Sequence, residues 1–138
     1  MTLPFTIRGL DHVVLRVRDV ARVERFYCEV IGCSLERRQE KIGLTQLRAG
    51  STLIDLVDVE GEIGRAGGLP PGRDGHNMEH FCLRIDPFDE AALGAHLRGH
   101  GIAVQAAQPR FGADGQGPSI YLDDPEGNRI ELKGPPTG

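Results

Sequence analysis

The sequence lacks a disulfide framework. Its three cysteines, Cys28, Cys33 and Cys82, are odd in number and form no C-x-x-C pair, so we expect buried free thiols instead of bridges. A chain of 138 residues needs no such bridges, because a domain of this size buries about two-thirds of its unfolded surface. We therefore expect one compact domain over residues 1–138.

Long apolar runs and clusters of basic residues are also missing. No stretch approaches the roughly 18 apolar residues of a membrane-spanning helix, and Met1 to Pro4 show neither the charged nor the apolar part of a secretion signal. Sixteen basic and twenty acidic residues give a net charge of −4, without the basic footprint of a nucleic-acid binder. We expect a cytoplasmic protein that binds neither membranes nor nucleic acids.

What the sequence does contain is a repeat. The segment DHVVLRV at residues 11–17 returns as EHFCLRI at residues 79–85, and IDL at residues 54–56 returns as IEL at residues 130–132. Each copy opens with an acid-His pair on an apolar strand and closes with a carboxylate between two aliphatic residues. One module of roughly 60 residues is therefore duplicated.

Each copy of the module predicts the order β-α-β-β-β. In the first, residues 8–59, Asp19 caps a helix that Gly32 ends, and strands are predicted at 10–17, 35–38, 44–48 and 52–57. In the second, residues 78–134, Asp89 caps a helix that runs to about Arg98, and strands are predicted at 79–85, 103–106, 119–122 and 129–133.

Two segments rich in glycine and proline are predicted to be irregular. Residues 60–77 contain six glycines and two prolines, too many breakers for a regular element, and are predicted to link the modules or to form a flap. Residues 109–118 are predicted to form a second loop.

Strand alternation gives each module a polar face and an apolar face. His12, Val14 and Arg16 share one face of the first strand, and Val13, Leu15 and Val17 share the other. The fifth strand sorts in the same way. The same parity puts Asp55 and Glu131 on the His-bearing faces. We expect the apolar faces to pack on the helices and the His-bearing faces to line a concave surface.

Two His and two carboxylates from four strands predict a metal site with mixed nitrogen and oxygen donors. The predicted ligands are His12, Asp55, His80 and Glu131. This donor set suits Zn²⁺, Ni²⁺, Co²⁺, Mn²⁺ or Fe²⁺, and open coordination positions would let a substrate oxygen be polarised. A single strand His is as often a hydrogen-bonded structural residue. The repetition of His and acid at matched positions is what favours a metal.

Four segments resemble one known group of proteins. They are DHVVLRV at 11–17, FYCEVIG at 26–32, EHFCLRI at 79–85 and YLDDPEGNRIEL at 121–132. Together they resemble the vicinal oxygen chelate superfamily, the glyoxalase, bleomycin-resistance and dioxygenase group, over about residues 8 to 133. The combination is specific for the superfamily and weak for any one activity.

The resemblance implies an α+β fold in which two tandem βαβββ modules form a cupped mixed sheet around a divalent metal. It also implies a homodimer. His12, His80 and Glu131 match the ligand positions well. Asp55 matches by position only, since the glyoxalase pattern has Glu there, so direct binding, binding through water and no binding all stay open. Whether one chain or two complete each site also stays open.

The implied activity is that of a metal-dependent lyase or isomerase resembling glyoxalase I. It would transfer a proton next to the metal-bound carbonyl of a small substrate, with Glu131 or Asp55 as the catalytic base. Three alternatives remain: an extradiol-type dioxygenase, for which two His and Glu131 suffice, a fosfomycin-resistance-like transferase, and a metal-free binding protein of the bleomycin-resistance kind that sequesters a ligand.

Several cationic side chains are predicted to face the cup beside these ligands. Arg16 and Arg84 follow the two His on the first and fifth strands, and Tyr121 shares the orientation. Arg48 and Arg129 have the same parity. We predict that Arg16, Arg84 and Tyr121 bind a small-molecule substrate, which would then be anionic.

Overall fold

A computed structural model describes residues 2–137. These residues form two four-stranded sheets with two main helices. The first half contains β1 (His12–Val17), α1 (Val20–Phe26) with a π-helical extension (Tyr27–Ile31), β2 (Ser34–Gln39), β3 (Leu44–Ala49) and β4 (Thr52–Asp58). The second half contains β5 (Phe81–Arg84), α2 (Glu90–Gly99), β6 (Gln108–Gly112), β7 (Gly115–Asp123) and β8 (Arg129–Lys133). Short 3₁₀ turns lie at Glu40–Ile42 and Gly64–Gly67.

The two sheets have the same topology. Their strand orders are β1-β4-β3-β2 and β5-β8-β7-β6. The first strand of each half pairs in parallel with the last, and the remaining pairs are antiparallel. This arrangement confirms the predicted α+β fold of two tandem βαβββ modules. It also leaves β1 and β5, the strands that begin at the repeated acid-His pairs, at sheet edges.

The apolar faces of both sheets contribute to one core. Leu15 and Val17 on β1 are fully buried, as the predicted alternation requires, and they belong to the same cluster as Ile130 and Leu132 on β8. Residues of both helices, Val23 and Leu97 among them, fill this cluster. Because both apolar faces point into one core, the His-bearing faces are directed away from it.

The helix boundaries follow the predicted caps. The Asp19 carboxylate accepts a hydrogen bond from Arg22 N over 3.1 Å, and the Asp89 carboxylate accepts one from Ala92 N over 3.1 Å. Gly32 ends the π-helical extension in the left-handed region, at φ 95°, where a side chain would be strained. Each cap satisfies a backbone group that the helix cannot satisfy itself.

The turn before β8 joins the two modules. The carboxylate of Glu126 accepts hydrogen bonds from Arg18 N, over 2.8 and 3.0 Å, and from Asp19 N, over 2.7 Å. The buried Asp124 accepts one from the Tyr27 hydroxyl over 2.8 Å. A carboxylate at a helix N-terminus is stabilised by free N–H groups and the helix dipole, so the start of α1 depends on the second module.

One strand prediction is wrong. Residues 103–106 are not a strand, since β6 lies at Gln108–Gly112. Directly before β6, Ala107 N donates to the Glu90 carboxylate on α2 over 2.8 Å. The segment 109–118, predicted to be a loop, forms most of the β6-β7 hairpin. Pro109 is compatible with β6 because β6 is an edge strand. Within residues 2–137, no helix is long and apolar enough to cross a bilayer.

Candidate metal centre

The first half-site combines His12 on β1 with Asp55 on β4. His12 Nε2 lies 3.9 Å from Asp55 Oδ2, and Asp55 is only 4% exposed. Gln46, the register partner of Asp55 on β3, donates to both carboxylate oxygens over 3.2 and 3.3 Å. Gln46 is held in turn by Arg37, which donates to its amide oxygen over 2.9 and 3.1 Å. The Asp55 carboxylate is therefore positioned by a series of hydrogen bonds that runs through Gln46 to the guanidinium of Arg37.

The second half-site repeats this pattern with His80, just before β5, and Glu131 on β8. His80 Nε2 lies 3.2 Å from Glu131 Oε1, and Ser119 donates to Glu131 Oε2 over 2.6 Å. Tyr121, the register partner of Glu131, places its ring edge-on to His80 with the centroids 5.7 Å apart. The second carboxylate is thus closer to its His than the first.

The acid of each repeated acid-His pair holds the other nitrogen of its His. Asp11 Oδ1 lies 2.7 Å from His12 Nδ1, and Glu79 Oε1 lies 2.9 Å from His80 Nδ1. A carboxylate on one ring nitrogen fixes the tautomer and the ring orientation, as metal-ligating His residues require. This role of Asp11 and Glu79 was missed from the sequence, although the recurrence of the pair was its signal.

Charge at the first half-site favours a protonated His12. The hydrogen bond that His12 donates to Asp11, with a further contribution from the charge of Asp55, raises the pKa of His12 above its usual value. At the second half-site, His80 Nδ1 contacts Glu79 and Nε2 faces Glu131 Oε1, so the tautomer that donates from Nδ1 to Glu79 places two lone pairs opposite each other at Nε2 and Oε1. A cation between these two atoms would satisfy both, so the donor set fits a divalent metal.

The four predicted ligands lie as two pairs within one chain. His12 is near Asp55 and His80 is near Glu131, but residues 2–137 contain no group of three His, Cys, Asp or Glu side chains close enough to hold a metal. The pairs lie on faces that point away from the shared core. The described part of one chain therefore presents two separate His-carboxylate pairs.

Arg16 lies on the polar face of β1, as predicted, but its guanidinium binds the linker. Nε donates to Gly64 O over 3.0 Å, and Nη2 donates to Gly68 O over 2.7 Å. Nη1 donates to Gly67 O over 3.2 Å and to Leu69 O over 3.1 Å. A Cβ on Gly67 would lie 2.4 Å from the guanidinium carbon, so the glycine permits this close approach. These contacts give Arg16 a structural role in holding the linker.

Arg84 lies in a cavity beside the second half-site. The cavity has a volume of about 360 Å³ and is lined by His80, Cys82, Arg84, Glu131 and Lys133, with the tip of the β6-β7 hairpin at 111–114. Burial and the charge of Glu131 raise the pKa of the Cys82 thiol to about 11. The thiol is therefore protonated and weakly nucleophilic at neutral pH.

Known proteins are similar to this chain in sequence and fold. A family model described as Glyoxalase/Bleomycin resistance protein/Dioxygenase superfamily matches residues 9–132. The virulence protein STM3117 of Salmonella typhimurium is 31% identical over 95% of this chain and 87% of its own. Its crystal structure aligns with a TM-score of 0.77 and 28% identity, over 94% of this chain and 98% of that chain.

Two further relatives have names that state reactions. The lactoylglutathione lyase of Salmonella typhimurium is 28% identical over 89% of this chain and 90% of its own length. The catechol-2,3-dioxygenase of Bacillus subtilis is 27% identical over 89% of this chain, which spans 40% of that protein. The matched residues 9–132 include both modules, which confirms the resemblance of the repeated segments: the chain belongs to the glyoxalase/bleomycin resistance protein/dioxygenase superfamily.

Proposed function

We propose that the protein is a divalent-metal-dependent lyase or isomerase that moves a proton on a carbon next to a carbonyl. The observation that carries this proposal is the pair of half-sites, each with a His Nε2 facing a buried carboxylate. A similar chain is named lactoylglutathione lyase. His12, His80 and Glu131 would hold the metal, which when bound would supply Lewis acidity to a substrate carbonyl.

The hydrogen bonds of Glu131 and Asp55 suit the two carboxylates to different roles. Glu131 is fixed by Ser119 on one oxygen and faces His80 with the other, which suits a permanent ligand. Asp55 is farther from its His, and its side-chain contacts are long hydrogen bonds from Gln46. Its oxygens keep the capacity to accept a proton. We assign Asp55 as the general base and Glu131 as the ligand that stays in place.

Two copies of the chain would complete each site. β1, which begins at His12, and β5, which begins just after His80, both lie at sheet edges, and edges of this kind readily meet another chain. Four large apolar side chains that precede β1 in the sequence are also exposed: Leu3, Phe5, Ile7 and Leu10. In a homodimer with two-fold symmetry, the first module of one chain would join the second module of its partner, giving two equivalent sites.

Subunit mixing tests this arrangement. His12→Ala and His80→Ala are each expected to lose tight Zn²⁺ or Co²⁺ binding. Co-refolding the two variants should restore about a quarter of the wild-type sites, since half of randomly formed dimers are mixed and each holds one intact site. Zinc retained after dialysis is the measurement. No restoration by a mixture that forms dimers would contradict the shared site, and full binding by both single variants would contradict the metal centre itself.

An extradiol-type dioxygenase is the second candidate. It is supported by the 3.9 Å gap between His12 and Asp55, which leaves two His and Glu131 as a two-His-one-carboxylate set, and by the similarity to a catechol-2,3-dioxygenase. Turnover of a catechol that requires both Fe²⁺ and O₂ would favour this candidate. Proton exchange on a 2-oxo compound without O₂ would exclude it.

A further inference from the structure

Two positive charges lie side by side next to the second half-site. Arg84 on β5 and Lys133 on β8 are register partners on adjacent parallel strands, two residues beyond the pair Cys82 and Glu131 and on the same face of the sheet. Both side chains line the cavity of about 360 Å³ that also contains His80 and Glu131. Like charges at directly paired positions destabilise a sheet, so this pair needs a compensating anion.

Lys133 has no carboxylate partner within the described part of the chain. It is only 3% exposed, and its ammonium donates to two backbone carbonyls, Gly117 O over 3.2 Å and Arg110 O. The ion pairs of residues 2–137 do not include it. An ammonium has three N–H groups, so one remains for a ligand. Buried charges are usually paired, and an anion entering the cavity would provide the missing partner.

Arg84 already binds a carboxylate that can leave. Its Nη2 donates to Asp114 Oδ2 over 2.9 Å. Asp114 is two-thirds exposed and sits at the tip of the β6-β7 hairpin. Exposed ion pairs of this kind contribute little stability. Displacement of Asp114 from Arg84 by another anion would therefore cost little free energy.

We propose that Arg84 and Lys133 form a subsite for a carboxylate or phosphate group of the substrate, which displaces Asp114 from Arg84. This inference deepens the proposed function and rests on it, because the bound anion is part of a substrate only if the protein is the proposed enzyme. Two residues of a parallel strand span about 6.6 Å, so the anionic group lies roughly that far along the cavity from Glu131. The subsite selects carbonyl compounds whose anionic group is separated from the reacting carbon by several bonds.

The lysine content of the chain permits a direct test. Lys41 and Lys133 are the only lysines in the sequence, so protein labelled with ¹³C-lysine gives two sets of Cε–Hε signals, and Lys133→Met assigns them. Metal-free protein, prepared with a chelating resin, is titrated with inorganic phosphate and separately with acetate at constant ionic strength. We expect a saturable shift of the Lys133 signal with at least one anion, while the Lys41 signal stays in place.

Substitution of the arginine completes the test. Arg84→Gln should weaken the binding of that anion about tenfold, because a charge-assisted hydrogen bond is lost, and Asp114→Asn should strengthen it. Arg48→Gln is the matched control, since Arg48 is also a strand arginine with a single ion pair, to Glu36 over 3.0 Å. Lys133 signals that do not respond to either anion, or equal shifts at Lys41, would overturn the subsite. Because no metal is present, this result is independent of the metal-binding test.

Discussion

The hydroxyl of Tyr27 donates a hydrogen bond to Asp124 Oδ2 over 2.8 Å, and this bond connects the helix of the first module to the closing turn of the second. Both residues are buried. Asp124 uses its other oxygen to accept from Glu126 N and Asn128 N over 2.8 and 3.0 Å. Loss of the phenol would therefore leave a buried carboxylate with one partner fewer.

Tyr27→Phe is expected to lower the free energy of unfolding by about 1–2 kcal/mol, the contribution of one buried hydrogen bond to a carboxylate, because Asn128 Nδ2 still donates to the same oxygen over 2.8 Å. Urea denaturation followed by circular dichroism measures the change. Tyr121→Phe is the control, because Tyr121 lies on the polar face outside the core cluster. An equal loss in both variants would contradict a specific role for the Tyr27 bond.

Glu126→Gln is expected to destabilise the protein by roughly 0.5–1 kcal/mol, because the negative charge at the start of α1 is lost while hydrogen-bond acceptance is retained. The loss should shrink as NaCl is raised, since salt screens charge at a helix terminus. Glu29→Gln, at an exposed position, is the control. A loss that does not change with salt would contradict the electrostatic part of this explanation.

Stability at alkaline pH should depend on Cys33. Burial raises the pKa of its thiol from 9.0 to about 11, so above pH 9 the unfolded chain loses a proton that the folded chain retains. Stability therefore falls as pH rises from 9 to 11, by at most about 2–3 kcal/mol for this group. Cys33→Ala should flatten the slope of unfolding free energy between pH 9 and 10, where the raised pKa values of Cys82 and Tyr27 account for the slope that remains. An unchanged slope would exclude this contribution.

Asp11→Asn is expected to weaken Zn²⁺ binding about tenfold, because second-sphere carboxylates orient ligand His residues. It should also lower the pKa of His12, whose hydrogen bond to Asp11 is the largest cause of its rise. Competition with a chromogenic chelator measures the affinity, and NMR titration of metal-free protein measures the pKa. Asp74→Asn, in the linker at an exposed position, should change neither.

Arg16→Met should loosen the linker by removing the donors that bind its carbonyls. Proteolysis between residues 60 and 77 is expected to accelerate about tenfold, since cleavage follows the population of locally open states. Arg25→Met, at an exposed position on α1, controls for loss of charge. Equal cleavage rates in Arg16→Met and wild-type protein would contradict a clamp role.

The sequence predicted what depends on local periodicity. The alternation around His12 and His80 assigned the core faces correctly, and Asp19 and Asp89 marked both helix starts. The sequence could not predict that Arg16 binds linker carbonyls. Strand alternation determines the face of the sheet from which a side chain projects, but it does not determine the group to which that side chain hydrogen-bonds. The β6-β7 hairpin was missed because Pro109 and the glycines nearby favour a loop locally, whereas pairing with β7 determines the backbone.

The turn at residues 123–128, part of the segment that resembles the superfamily, forms hydrogen bonds within the chain that connect the two modules. The side chains of Asp124, Glu126 and Asn128 form hydrogen bonds with backbone amides and with the side chains of Tyr27 and Asn77. A sequence motif whose residues make structural contacts identifies a fold but does not indicate which reaction is catalysed. Proteins that catalyse different reactions can therefore share this turn, and a new activity can arise on the His-bearing faces without disturbing the residues by which the family is recognised.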